Sequence, residues 1–212
     1  FTKKLDDLSE HPVTEIIHKV LKNDARKALD SAAYAQFNAA ITRVQGPDAT
    51  SIVVTENGTP AGVSLEFAKE HAKLIADEMA ERDIPTFDGN NYMAIARPST
   101  LRGFKDDLEL IHQYTSEGWH VIMNGEKGRY EGVRYCEQTN VASKGYTNTD
   151  QIFFFGSDTV VEAVAIPEEI RGKIPTDFGR SRGIAWYALL GYGLVHPTDT
   201  TQQRILVWDS TT

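Results

Sequence analysis

Asn91-Tyr92-Met93-Ala94-Ile95-Ala96-Arg97-Pro98 decides how this sequence is read. Five apolar residues run without alternation between the turn Asp88-Gly89-Asn90-Asn91 and a proline. That pattern predicts a strand buried on both faces. A buried strand needs covering layers, and helical patterns lie on either side of it. Upstream, Leu65, Ala68, Ala72, Ile75 and Met79 step by three and four after Ser64, a residue able to cap a helix. Arg82-Asp83-Ile84-Pro85 ends that run. Downstream, Leu101, Phe104, Leu108 and Ile111 form the apolar stripe of another helix, with Lys105, Asp106, Asp107 and Glu109 on its wet side.

Further upstream, Ser9-Glu10-His11-Pro12 opens a helix whose stripe holds Val13, Ile17, Val20, Leu21, Ala25, Ala28, Leu29, Ala32, Phe37 and Ile41. Unbroken to Arg43, it would run to roughly 50 Å at about 1.5 Å per residue. Gly46-Pro47-Asp48 is expected to stop it, and Ser51 to Thr55 reads as a short strand closed by Glu56-Asn57-Gly58. From Trp119 the chain reads as strands: Trp119 to Met123, Tyr130 to Glu137 and Gln151 to Phe155. A short helix at Asp158 to Glu162 and a strand at Val164 to Ile166 follow. Gly183 to His196 and Arg204 to Asp209 close the sequence. The fold class expected is α+β.

The 212 residues suffice for a buried core, and the net charge of -8 argues against general affinity for nucleic acid. No apolar run approaches the length of a membrane span. Cys136 is the sole cysteine, so no intramolecular disulfide forms, and a small buried strand residue is its expected role. Phe1 is not a methionine and no signal-peptide pattern follows it, so a trimmed or processed product, or a piece of a longer one with an element upstream, is expected.

Catalytic and cofactor motifs do not emerge. His11, His18, His71, His112, His120 and His196 match no zinc spacing, and packing or surface roles are expected for them. There is no G-x-S-x-G nucleophile elbow. Gly125-Glu126-Lys127-Gly128 lacks the full phosphate-loop pattern and reads as a hairpin turn. Asp106-Asp107 and Glu168-Glu169 read as solvated charge. No catalytic residue, cofactor or metal ligand is assigned. Arg171, Lys173, Arg180 and Arg182 cluster in a glycine-rich stretch with only Phe178 as an aromatic between them. Without a stacking series they suit contacts between subunits better than a nucleic-acid patch.

The succession of segments resembles the major capsid proteins of tailed phages. Leu65 to Arg82, then Ile84-Pro85, Asn91 to Pro98, Leu101 and Asp106-Asp107 resemble that family's spine helix and first axial-domain strand. Gly125 to Glu137 resembles its glycine-flanked strand, and Gln151 to Asp158 the strand ending in glycine. Ile170 to Pro175, Gly183 to Gly193 and Leu206 to Asp209 resemble its returning and terminal strands. The podophage-like branch, with Y-x-A-I-x-x-P, is the most similar. The sequence departs from it in placing Ala96-Arg97 before Pro98 and in a shortened or absent arm and extended loop.

The resemblance implies a peripheral domain over 1-88 with a remnant of the extended loop, an axial domain over 89-150, strands returning through the peripheral domain over 151-196, and a terminal strand over 197-212. It implies a self-assembling homo-oligomer of hexamers and pentamers, an icosahedral shell holding double-stranded DNA by weak contacts, and scaffold, portal or decoration proteins as partners. Virion capsid is the implied location, after synthesis in the host bacterial cytoplasm, with no membrane involved. A container also suits an acidic subunit, since a strongly basic inner wall would grip the genome. An encapsulin-like compartment shell is the alternative, and a small-molecule enzyme the third reading.

Overall fold

The structure, a computed structural model, describes residues 13–60, 62–87, 89–112, 128–142, 150–174 and 183–210. The chain forms two compact units, each built from separated stretches. One comprises 1–33 and 162–192; the other comprises 34–161 and 193–212.

The second unit is organised on a seven-stranded mixed sheet. Its strands are β1 (Arg43–Asp48), β2 (Ser51–Thr55), β3 (Tyr92–Ala96), β4 (Arg129–Tyr130), β5 (Val133–Glu137), β6 (Asp150–Phe155) and β9 (Ile205–Ser210), in the order β2-β1-β9-β6-β3-β5-β4. The strand that opened the sequence reading, β3, lies inside the sheet, parallel to β5 and antiparallel to β6. Strand periodicity sorts its side chains. Ala94 and Ala96 join Ile152, Phe154, Leu206 and Trp208 in one core, while Met93 and Ile95 join Phe153, Phe155, Ile205 and Val207 in the other. The unbroken apolar run is the signature of this two-sided burial.

Helices α2 (Lys69–Glu81) and α3 (Arg102–His112) supply the first core with Ala72, Ile75, Met79 and Phe104. The second core receives Tyr34 and Phe37 from the end of α1 (Val13–Asn38), both packed on Phe153. The stretches expected as peripheral (1–88) and axial (89–150) therefore both contribute to this unit, because α2 and β3 share one core.

Several local expectations are corrected. Helix α1 ends at Asn38 rather than near Arg43, and Arg43 is instead a buried strand residue. Gly46-Pro47-Asp48 does not stop a helix but lies within β1. A Cβ on Gly46 would sit 2.6 Å from both His71 Nε2 and Trp208 Cη2, so glycine there admits the two rings. Helix α2 starts four residues later than expected. Ser64 Oγ accepts the Gly46 N–H at 3.0 Å instead of capping, and His71 Nδ1 accepts the Ala68 N–H at 3.2 Å at the true helix start. Leu65, expected in the core, is 41% exposed, and Phe67 takes the buried position.

The run Tyr130 to Glu137 is broken into β4 and β5 by Glu131 and Gly132, whose φ values of 46° and 69° make a two-residue hairpin turn. No helix forms at Asp158 to Glu162. That stretch runs through a left-handed Asp158 (φ 52°) into β7 (Val160–Gly172), which continues past Pro167. Strand β7 has a single partner, so the missing proline N–H has an open side to face. The expected strand Trp119 to Met123 and most of the Gly125-Gly128 turn lie outside the described residues.

The first unit holds most of α1 and most of a two-stranded ribbon, β7 with β8 (Ile184–Leu194). Trp186 Nε1 donates to Asp24 Oδ2 at 3.0 Å, tying the ribbon to the helix.

Candidate inter-subunit surfaces

The ribbon is the place where the sequence pattern and the solvent disagree most. Along β8, Ile184, Trp186, Ala188 and Leu190 are half-buried, and Ala185, Tyr187, Leu189 and Gly191 between them are exposed. Both sets are apolar or small, a composition suited to a strand covered on two sides. Val161, Val164, Ile170 and Ile174 add exposed apolar surface, Ile174 at 84%. Helix α1 repeats the pattern: Val20, expected on its inward face, is 60% exposed, and Ile16 is exposed beside it.

Burial makes the point quantitative. Among the described residues of the first unit the only buried apolar side chain is Ala25, at 9% exposure, whereas both core clusters lie wholly in the second unit. A lone two-stranded ribbon is marginal in water. Large exposed apolar patches on a folded chain mark surfaces that meet another molecule.

Arg171 and Lys173, two of the four basic residues proposed from sequence as contacts, come to the same end of the ribbon. The Lys173 N–H donates to the Gly183 carbonyl at 2.7 Å, closing the ladder there. Arg171 is ion-paired with Glu169, and its guanidinium lies 4.2 Å from the centre of the Tyr187 ring. Both partners belong to its own chain, which holds the charge at the surface in a fixed place. Arg180 and Arg182 lie outside the described residues.

The described histidines His18, His71 and His196 take packing and surface positions. His71 is fully buried, its Nε2–H donates to the Asp48 carbonyl at 2.8 Å, and its ring stacks 4.7 Å from Trp208. With Nδ1 accepting from Ala68, the Nε2-protonated tautomer is fixed, and neither nitrogen is left for a metal. His18 is exposed, His196 is half-buried, and His11 and His120 lie outside the described residues. Among the described residues no three His, Cys, Asp or Glu side chains gather to hold a metal, and no helix is long and apolar enough to cross a membrane. Burial pushes the Tyr135 hydroxyl far above its ordinary range, fitting a packing role in the first core. Cys136 is half-buried in β5 opposite Ile95. The recess beside Asp158, His196, Gln203 and Arg204 is too shallow to enclose a ligand.

Sequence reasoning missed the polar knot on which α1 ends. Arg43 forms a buried ion pair with Asp209 at 3.1 Å and donates to the Asn38 carbonyl at 2.6 Å. Gln151 Nε2 donates to Asp209 and Asn38, and the Tyr34 hydroxyl donates to Gln151. Its members come from three separate stretches, 34–43, Gln151 and Asp209, which the strand register brings together.

No protein-family model and no curated protein matches the sequence. Solved structures do. The capsid of cyanophage P-SCSP1u superposes with a TM-score of 0.70 at 12% identity, over 100% of this chain and 70% of that one. The acid-stable capsid of Helicobacter pylori bacteriophage KHP30 gives 0.70 at 11% identity, over 100% and 73%. The capsid asymmetric unit of cyanophage Pam1 gives 0.65 at 14%, over 100% and 72%. At such identities the likeness speaks for architecture, and across its full length this chain has the α+β fold of phage capsid proteins. Among the described residues the longest helix is α1, of 26 residues; α2, the helix the resemblance casts as the spine, has 13 and covers the large sheet.

Proposed function

We propose that this chain is the structural subunit of a phage head, a non-enzymatic protein that assembles through hexamers and pentamers into an icosahedral shell around double-stranded DNA. The observation that carries this reading is that the described residues of the first unit form no buried core. A ribbon with apolar residues on both faces and a helix with exposed Ile16 and Val20 are stable together only when neighbouring copies cover them. The capsid fold supports the same reading. Arg171 and Lys173 at the ribbon end, with Arg180 and Arg182 in the adjoining sequence, are the proposed charged contacts between copies. Contact with the packaged DNA is weak, because the subunit is acidic. Portal, scaffold or decoration proteins complete the head. Its place is the virion capsid, after synthesis in the bacterial cytoplasm.

Electron microscopy of the purified protein over rising concentration tests this. Closed particles of uniform size are expected, with double-stranded DNA inside particles recovered from an infected host. A folded subunit that stays monomeric throughout would overturn the proposal. Uniform particles that carry protein cargo and no nucleic acid would assign the chain to an encapsulin-like compartment instead.

A further inference from the structure

The two units differ in charge as sharply as in burial. Residues 1–33 and 162–192 contain ten basic and ten acidic side chains; residues 34–161 and 193–212 contain twelve basic and twenty acidic ones. The whole net charge of -8 therefore belongs to the unit that has a core, and the coreless unit is neutral. Internal pairing does not remove that excess. Arg43, Lys73, Arg82, Arg102, Lys105 and Arg204 are engaged with carboxylates of their own unit. Among the described residues, Glu66, Asp77, Glu81 and Asp83 are exposed and make no ion pair.

We infer that shell formation by this chain is gated by ionic strength: neutral, apolar surfaces of the first unit drive association, and the second unit's uncompensated carboxylates oppose it until counter-cations screen them. This rests on the shell reading above. Two copies brought together gain no net Coulombic attraction through a unit with equal numbers of each sign, while their acidic units repel. Such repulsion keeps a free subunit soluble and monomeric. It reaches about 30 Å at roughly 0.01 M salt but only about 3 Å near 1 M, so it is strong between neighbours in dilute buffer and confined to direct contacts in concentrated salt. Burial of apolar surface is not screened in this way. The partner chemistry is accordingly undemanding: monovalent cations suffice, and no coordinated metal is required.

The test measures the threshold protein concentration for particle formation by light scattering and electron microscopy, using the full chain in sodium chloride from about 0.01 to about 1 M. The threshold is expected to fall by roughly tenfold or more across that range. A quadruple variant, Glu66→Gln, Asp77→Asn, Glu81→Gln and Asp83→Asn, leaves sixteen acidic side chains against twelve basic in the second unit. Because Coulombic repulsion scales with the product of the two charges, it drops to about a quarter. The variant should form particles at low salt where the parent does not, with a flatter salt dependence and an unchanged thermal midpoint. Particles whose threshold is indifferent to salt, or rises with it, overturn the inference and leave the shell reading standing. A folded subunit forming no particles at any ionic strength overturns both.

Discussion

Set side by side, the two units of this chain solve opposite problems with the same residue types. Ile152, Phe154 and Trp208 in the sheet-bearing unit, and Val164, Leu189 and Tyr187 in the ribbon, are all large side chains on strands. The first three are completely buried between sheet and helices; the last three are at least two-fifths exposed. The difference is architectural. Seven strands with α2 and α3 on one face and α1's last turn on the other enclose a volume, whereas two strands and one helix cannot. An element with the composition of a core that is left in solvent is the kind of surface that meets another molecule.

The comparison can be broken by mutation, and the expected effects descend in order. Ile75→Asp places a charge with no partner among Trp208, Phe154 and Met79. It should abolish folding, read as loss of soluble protein and of the far-ultraviolet helix signal. Folded, soluble Ile75→Asp subunits would disprove the packing assigned to α2. Asp209→Ala strands Arg43 in a nearly dry site and should cost about 3–5 kcal/mol by urea titration. Gly46→Ala drives a methyl group into His71 and Trp208, for a loss of about 1–3 kcal/mol.

Leu189→Asp should behave differently from all three. Its side chain is exposed, so subunit stability should move by no more than about 0.5 kcal/mol while particle formation is lost. If that substitution unfolds the subunit as Ile75→Asp does, the ribbon has a core of its own and the contrast fails.

The smallest effect is pH-dependent. Asp199 is held below the ordinary carboxyl range by the Thr201 hydroxyl and N–H, and Asp48 by the Thr50 N–H and the Ser51 hydroxyl. A depressed folded value contributes stability above the unfolded value, near 4, that is lost as pH falls through the folded one. The urea midpoint should therefore drop below about pH 4, and less so in a double Asp48→Asn, Asp199→Asn variant.

How much of this was legible beforehand follows the same divide. β3, β6, β9 and the stripe Ala72, Ile75, Met79 were readable because a self-contained core leaves local period-two and period-three-to-four patterns. Val20 and Leu65 were misplaced because apolar character signals burial without saying by which molecule. The continuous β7 was missed because Pro167 ordinarily demotes a strand, and the exception requires a ribbon with an open side, which is tertiary information. Of the proposed contact residues, Arg171 and Lys173 stand two residues apart at one end of the ribbon, and nothing in their spacing revealed the Tyr187 ring beneath Arg171.

The central claim, that the first unit is completed by neighbouring copies, is tested most directly by amide hydrogen exchange on free subunits and on assembled particles. The account predicts that amides of 184–192 exchange rapidly in the free subunit while those of β6 and β9 are protected, and that the ribbon gains protection on assembly. Ribbon amides as protected in the free subunit as those of β6, with no change on assembly, would contradict it.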